Sequence, residues 1–306
     1  MNFTRRRALR TVVAAAASAM MYEPLAQSGT SPPFTRVVPS TGERIPVVGL
    51  GTWITFNVGN DAIARDACAD VVRAFVEGGG RLMDSSPMYG SSQDVIGHAL
   101  HSTGLAQRVF PADKVWISQG ARGREQIERS RTLWQVPRLD LVQVHNLLAW
   151  QEHLPTLFAM KAQKAIRYVG ITTSEGRRHR DIEQIMSSHP IDFVQVTYNP
   201  LDREVEQRIL PLARERRIAV IANRPFREGA LTRALARKPL PAWSADVDAT
   251  SWAQLVLKFI VAHPDVTCVI PATSRVDHVR ENLLAATGRM PDEAMRRRIV
   301  EAIGRA

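Results

Sequence analysis

The sequence predicts an α/β chain folded as a closed (β/α)8 TIM barrel with an N-terminal β-hairpin. Three observations carry this expectation: eight short apolar runs rich in β-branched residues, helical stretches between them, and about 270 residues to hold all eight units, close to the roughly 250 typical of such a barrel. The runs cover residues 47–50, 81–85, 115–118, 139–145, 168–172, 192–198, 218–222 and 267–271, with helical patterns over 62–76, 124–134, 153–163, 203–216 and 252–262 among them. Runs that are apolar throughout belong to strands buried on both faces, the state of a parallel sheet covered by helices. Ahead of them, 36–38 and 44–46 flank Pro39-Ser40-Thr41-Gly42, a turn composition that predicts the hairpin. The competing architecture, a doubly wound open sheet, usually shows Gly-x-Gly-x-x-Gly after its first strand. Here that strand runs into Val48-Gly49-Leu50-Gly51-Thr52-Trp53, without the third glycine.

A hydrophobic fraction of 45% suits a packed core, and two cysteines cannot staple 306 residues, so disorder and a disulfide scaffold are both excluded. The net charge of +10 suggests nucleic acid only until it is divided. Arg5, Arg6, Arg7 and Arg10 against Glu23 place +3 in the first 26 residues, and the later arginines are interspersed with acids, as in Arg214-Glu215-Arg216-Arg217. That is a solvated surface, and no nucleic-acid partner is expected. Cys68 and Cys268 show no metal-ligand spacing, the histidines form no ligand cluster, and no metal is expected.

At the amino terminus, Thr4-Arg5-Arg6-Arg7-Ala8-Leu9-Arg10 precedes an uncharged run, 11–21, too short for an ordinary transmembrane span. The adjacent arginines between a hydroxyl residue and Leu-basic resemble a twin-arginine export signal, with the usual aromatic missing at Ala8. The expected division is an export signal over 1–26, a Pro/Ser/Gly-rich linker over 27–35 and the barrel over 36–306. The implied partner is the Tat export machinery, the implied location is periplasmic or otherwise exported, and membrane contact follows only if the signal is retained.

Barrel enzymes place their chemistry at the carboxyl ends of the strands. The expected strand ends are polar: Gly51 and Thr52, Asp84, Gln119, His145, Thr172 and Thr173, Gln195, Asn223 and Arg224, Thr273 and Ser274. Each is as readily a satisfied polar cap as a functional group. Eight polar ends together point to a site. Five ordered blocks then match one family. Asp84-Ser85-Ser86-Pro87-Met88-Tyr89-Gly90, Leu139 to Asn146, Ile166 to Ser174, Val194 to Leu201 and Val269 to Asn282 resemble the aldo-keto reductases.

The resemblance implies hydride transfer from NADPH to an aldehyde or ketone, a small-molecule carbonyl substrate. Charge growing on the carbonyl oxygen calls for a proton donor and a hydrogen-bond donor already in place. By resemblance Tyr89 is the general acid, His145 orients the carbonyl, and Asp84 holds a lysine that lowers the tyrosine pKa. That lysine is expected to close the third strand, where the alignment places Gln119; Lys114 precedes the expected strand. The expectation is therefore impaired or altered reductase chemistry, with Arg122 or Arg224 as the cations left to replace the charge.

By the same resemblance Thr172, Thr173 and Gln195 hold the nicotinamide carboxamide. Asn223 stands where an aromatic often stacks on the ring. Thr273, Ser274 and Arg275 take the adenosine phosphate, with Glu281 and Asn282 near the adenine, and Gly51 and Thr52 allow close backbone approach. Trp53, Met88, Trp116 and Trp150 fall near strand ends and are expected to line an apolar substrate pocket. Two readings remain at this point: an exported NADPH-linked reductase, and a non-catalytic NADP(H)-binding or sensing member of the same fold.

Overall fold

The computed structural model describes residues 33–304, so the expected export signal and most of the expected linker lie outside the described residues. Strand β1 (Thr35–Val37) pairs antiparallel with β2 (Arg44–Pro46) in the expected hairpin, beginning one residue inside the expected linker. Eight strands follow: β3 (Leu50–Gly51), β4 (Leu82–Asp84), β5 (Phe110–Val115), β6 (Leu139–His145), β7 (Ile166–Thr172), β8 (Phe193–Thr197), β9 (Ala219–Asn223) and β10 (Cys268–Val269). They form one parallel sheet in sequential order, and parallel bridges from Val48 to Val269 and from Gly51 to Ala272 join its edges. The sheet thus closes into a (β/α)8 barrel.

The helices are α1 (Ala62–Glu77), α2 (Ser92–Thr103), α3 (Gly123–Trp134), α4 (Trp150–Ala162), α5 (His179–Ser188), α6 (Ile209–Arg216), α7 (Ala230–Leu235), α8 (Trp252–Val261), α9 (Val276–Leu284) and α10 (Glu293–Gly304). Helix α1 shows the local logic. The Asp61 side chain accepts the Ala64 N–H at 3.0 Å and starts it, and Val71, Val72, Phe75 and Val76 form its buried stripe. Each such buried aliphatic or aromatic side chain contributes about 1.5–3 kcal/mol.

Strand alternation sorts the barrel into two cores. Residues such as Met83, Val142, Val169, Val194 and Val220 face the helices in the larger cluster. Leu82, Phe110, Leu141, Tyr168, Phe193 and Ile221 fill the barrel interior, with Val38 and Ile45 of the hairpin region in the same cluster. Counting on in steps of two from the interior set reaches Asp84, Lys114, His145, Thr172, Gln195 and Asn223. Inward positions therefore change from apolar at the amino end to polar at the carboxyl end, and this change creates the site.

The largest departure from expectation lies in β5. Residues 115–118 were expected as strand, whereas the strand occupies Phe110–Val115. Pro111, Asp113 and Lys114 interrupt the apolar pattern, yet all three are buried. The two charges occupy opposite faces. Outward, Asp113 accepts from Gln93 Nε2 at 2.8 Å and Trp134 Nε1 at 2.5 Å; inward, Lys114 enters the barrel.

Candidate active site

Three strand ends and one loop build the centre of the site. Register pairs Asp84 with Ala112, so Lys114 continues on the same inward face at the carboxyl end of β5. Its Nζ forms an ion pair with Asp84 Oδ2, donates to the Ser85 carbonyl at 2.8 Å and lies 4.9 Å from the centre of the Tyr89 ring. Tyr89, in the loop after β4, meets the His145 ring edge-on at 5.7 Å. The other Asp84 oxygen accepts from Gln195 Nε2 at 2.9 Å and Gln143 Nε2 at 3.2 Å. Gln143 fits because its neighbour on β7 is Gly170, where a Cβ would stand 3.0 Å from the Gln143 Cγ.

Gln119 is corrected here. It lies beyond β5 as the exposed residue before a turn at Gly120–Arg122, while Lys114 occupies the place beside Asp84. The proposed rescue by arginine falls with it. Arg122 is exposed and paired with Glu125, and Arg224 is held by Glu175 and Glu228.

Electrostatics give each group a protonation state. Burial, and then the Lys114 charge, push the His145 imidazole down to about 2, so its ring is neutral. Burial raises the Tyr89 phenol; Lys114 opposes that, Asp84 adds to it, and the net position is above the ordinary value. Burial alone would lower the Lys114 ammonium, but Asp84, Tyr89 and Asp113 outweigh it and keep it charged.

Asp84, Tyr89 and His145 open into a cavity of about 820 Å³. Among the expected residues, Gly51, Thr52, Trp53, Asp84, Met88, Tyr89, His145, Thr172, Thr173, Gln195, Asn223, Thr273, Glu281 and Asn282 line it. Asn223 Nδ2 donates to the Thr173 carbonyl at 3.0 Å, and Thr172 Oγ1 donates to Gln195 Oε1 at 3.2 Å. Besides Gln119, four expected residues stand apart from the lining. Trp116 is exposed beside the site with its ring 6.4 Å from that of His145. Trp150, on α4, instead packs edge-on against His189 at 5.5 Å. Ser274 and Arg275 are exposed ahead of α9, where Arg275 pairs with Asp277.

Lys114, Gln143 and Ser86 complete the centre without having been singled out from the sequence for these contacts. The signal for Lys114 is strand parity: Phe110, Ala112 and Lys114 share one face, and only a strand begun at Phe110 makes that visible.

The chain matches the Aldo/keto reductase family over residues 47–302. It is 29% identical over 245 residues to methylglyoxal reductase YeaE of Escherichia coli (strain K12), covering 78% of this chain and 84% of that protein. It is 23% identical over 318 residues to the NADH-specific methylglyoxal reductase of the same strain, covering 84% of this chain and 95% of that protein. The solved aldo/keto reductase from Klebsiella pneumoniae in complex with NADP and acetate superposes with a TM-score of 0.75 at 24% identity, over 87% of this chain and 94% of that one. This last likeness is one of fold.

Proposed function

Because the chain belongs to the aldo/keto reductase family, we propose that it is an NADP(H)-dependent oxidoreductase that reduces a small aldehyde or ketone, with Tyr89 as proton donor and His145 orienting the carbonyl. The observation that carries this reading is the buried Lys114–Asp84 ion pair placed against Tyr89 beside a neutral His145, with Asp84, Tyr89 and His145 lining one cavity. Support also comes from the two relatives that are methylglyoxal reductases and from the solved relative that binds NADP.

The residues present fit a dinucleotide. One part of the cavity wall carries the hydroxyls and amides of Thr172, Thr173, Gln195 and Asn223, which suit a carboxamide. Another carries Thr273 just ahead of α9 and Glu281 and Asn282 farther along that helix, whose N-cap residue Arg275 makes no side-chain cap. The positive end of the helix dipole suits a phosphate there, and Arg275, paired with Asp277 at the helix start, is the guanidinium a phosphate would recruit. When bound, a reduced nicotinamide supplies the hydride for the carbonyl carbon.

The chain's own residues then handle the charge on the carbonyl oxygen. Tyr89 remains a phenol at neutral pH and gives its proton to that oxygen. The tyrosinate left behind faces the Lys114 ammonium, which Asp84 keeps in place. His145 is neutral, so it contributes a hydrogen bond rather than a proton, fixing the oxygen near the phenol. The test is purified protein with NADPH and a panel of carbonyls headed by methylglyoxal, following loss of nicotinamide absorbance. Oxidation that disappears in Tyr89→Phe is the expected result. Bound NADPH that no carbonyl oxidises would overturn the reading in favour of a non-catalytic binding protein.

The twin-arginine-like stretch at Thr4 to Arg10 supports export as a further part of the proposal. Fractionation of cells should recover the protein in the periplasm, and retention of an Arg5→Lys, Arg6→Lys variant in the cytoplasm would tie that location to the arginine pair.

A further inference from the structure

Ser86 has no part in the chemistry above, yet it contacts the residue that orients the carbonyl. It is fully buried, two residues beyond β4, and its Oγ lies 2.8 Å from His145 Nδ1 while accepting the Met88 N–H at 3.1 Å. We propose that Ser86 is a positioning residue that sets the tautomer of His145, keeping the ring proton on Nε2, where it can be donated to a carbonyl oxygen. The inference rests on the assignment of His145 to the carbonyl.

Proton counting decides between the two tautomers. A neutral imidazole carries one N–H, and a hydroxyl has one proton and two lone pairs. One lone pair of Ser86 Oγ takes the Met88 N–H. Were the ring proton on Nδ1, it would take the second lone pair. The hydroxyl proton would then lack an acceptor, because Met88 N and His145 Nδ1 are the hydrogen-bond partners of this Oγ among the described residues. A buried donor without an acceptor is costly and rare. With Nδ1 bare, the hydroxyl donates to it and every group is satisfied. A doubly protonated ring does not arise, since burial and the Lys114 charge hold His145 neutral. Ser85 does not share the task, for its Oγ turns to Ser92 Oγ at 3.0 Å.

Nitrogen NMR of ¹⁵N-histidine-labelled protein tests this before any turnover is measured. The sequence has eight histidines, and the His145→Gln variant identifies the signals of interest. The expected result is an unprotonated, hydrogen-bond-accepting Nδ1 and a protonated Nε2 in the parent protein, with a mixture of tautomers in Ser86→Ala. Alongside, kcat/KM for a carbonyl should fall about tenfold in Ser86→Ala, the worth of one hydrogen bond, with NADPH affinity within twofold. Ser86→Thr, which keeps the hydroxyl, should restore the parent tautomer. A protonated Nδ1 in the parent protein, or the same tautomer in Ser86→Ala, would overturn the proposal and leave the reductase reading intact. If no carbonyl is turned over, the reductase reading fails while the nitrogen signals still decide the role of Ser86.

Discussion

The two ends of the barrel hold the same three kinds of group in different connections. At the carboxyl end they are Tyr89, Lys114 and Asp84; at the amino end they are Tyr168, Arg167 and Glu43. Below, the Tyr168 hydroxyl donates to Glu43 Oε2 at 2.6 Å and lies 2.8 Å from Thr41 Oγ1, while Arg167 pairs with Glu43 and Asp140. Burial and that carboxylate push the Tyr168 phenol up to about 12. Above, the carboxylate takes the lysine instead, and the tyrosine lines a cavity. A phenol whose proton is held in a hydrogen bond to a carboxylate ties the hairpin to the barrel. A phenol facing open space beside a cation is free to exchange its proton. Connection, rather than residue type, separates a structural cluster from a reactive one.

The comparison breaks most visibly at Tyr89 and Lys114. Tyr89→Phe should lower kcat by about 10²- to 10⁴-fold, the usual worth of general acid catalysis, with cofactor affinity retained in a fluorescence titration. Lys114→Met should lose activity on a similar scale. It should also destabilise the fold by about 3–5 kcal/mol in urea unfolding, because Asp84 is left as a buried charge without its cation.

Acid should separate the ends next. An unfolded imidazole binds a proton below about pH 6.5, whereas His145 stays neutral until about 2, so the unfolded state takes up the proton first. The stability contributed by neutral His145 is therefore complete above about 6.5 and lost as pH falls towards 2. Against His145→Gln, the parent protein should lose about 1.4 kcal/mol per pH unit below that point, as read from urea midpoints at pH 7.5, 6 and 5. Parallel curves would show that the ring is protonated in the fold.

Tyr168→Phe sharpens the contrast from below. It should cost about 1.5–3 kcal/mol, the worth of a hydrogen bond to a charged group, with kcat unchanged. The smallest effect is expected at Gln119. Gln119→Lys should alter turnover by less than twofold, and a large gain would restore Gln119 to the site.

Much of this is legible in the sequence alone. The Asp84 to Gly90 block and the strand ending in His145 are local patterns, so their residues could be placed by reading along the chain. Lys114 is hidden in the sequence for a physical reason. Next to Asp113 it resembles the charged lead-in to a strand, and burial of two adjacent charges is expected only when each has its own partner. Those partners, Asp84 on one side and Gln93 with Trp134 on the other, lie 20 to 30 residues away in sequence. Trp150 was misplaced in the same way, since a strand-end position does not say which way a side chain turns.

The number of the strands, the hairpin and the polar carboxyl ends follow from local composition and spacing, and the family blocks from local resemblance, properties each segment carries wherever it lies. Which cation faces Tyr89, which hydroxyl meets His145 and which tryptophans leave the cavity depended on closure of the sheet. The register of β4 against β5 and the alternation of side chains along each strand bring distant residues to one point, and no segment contains that distance.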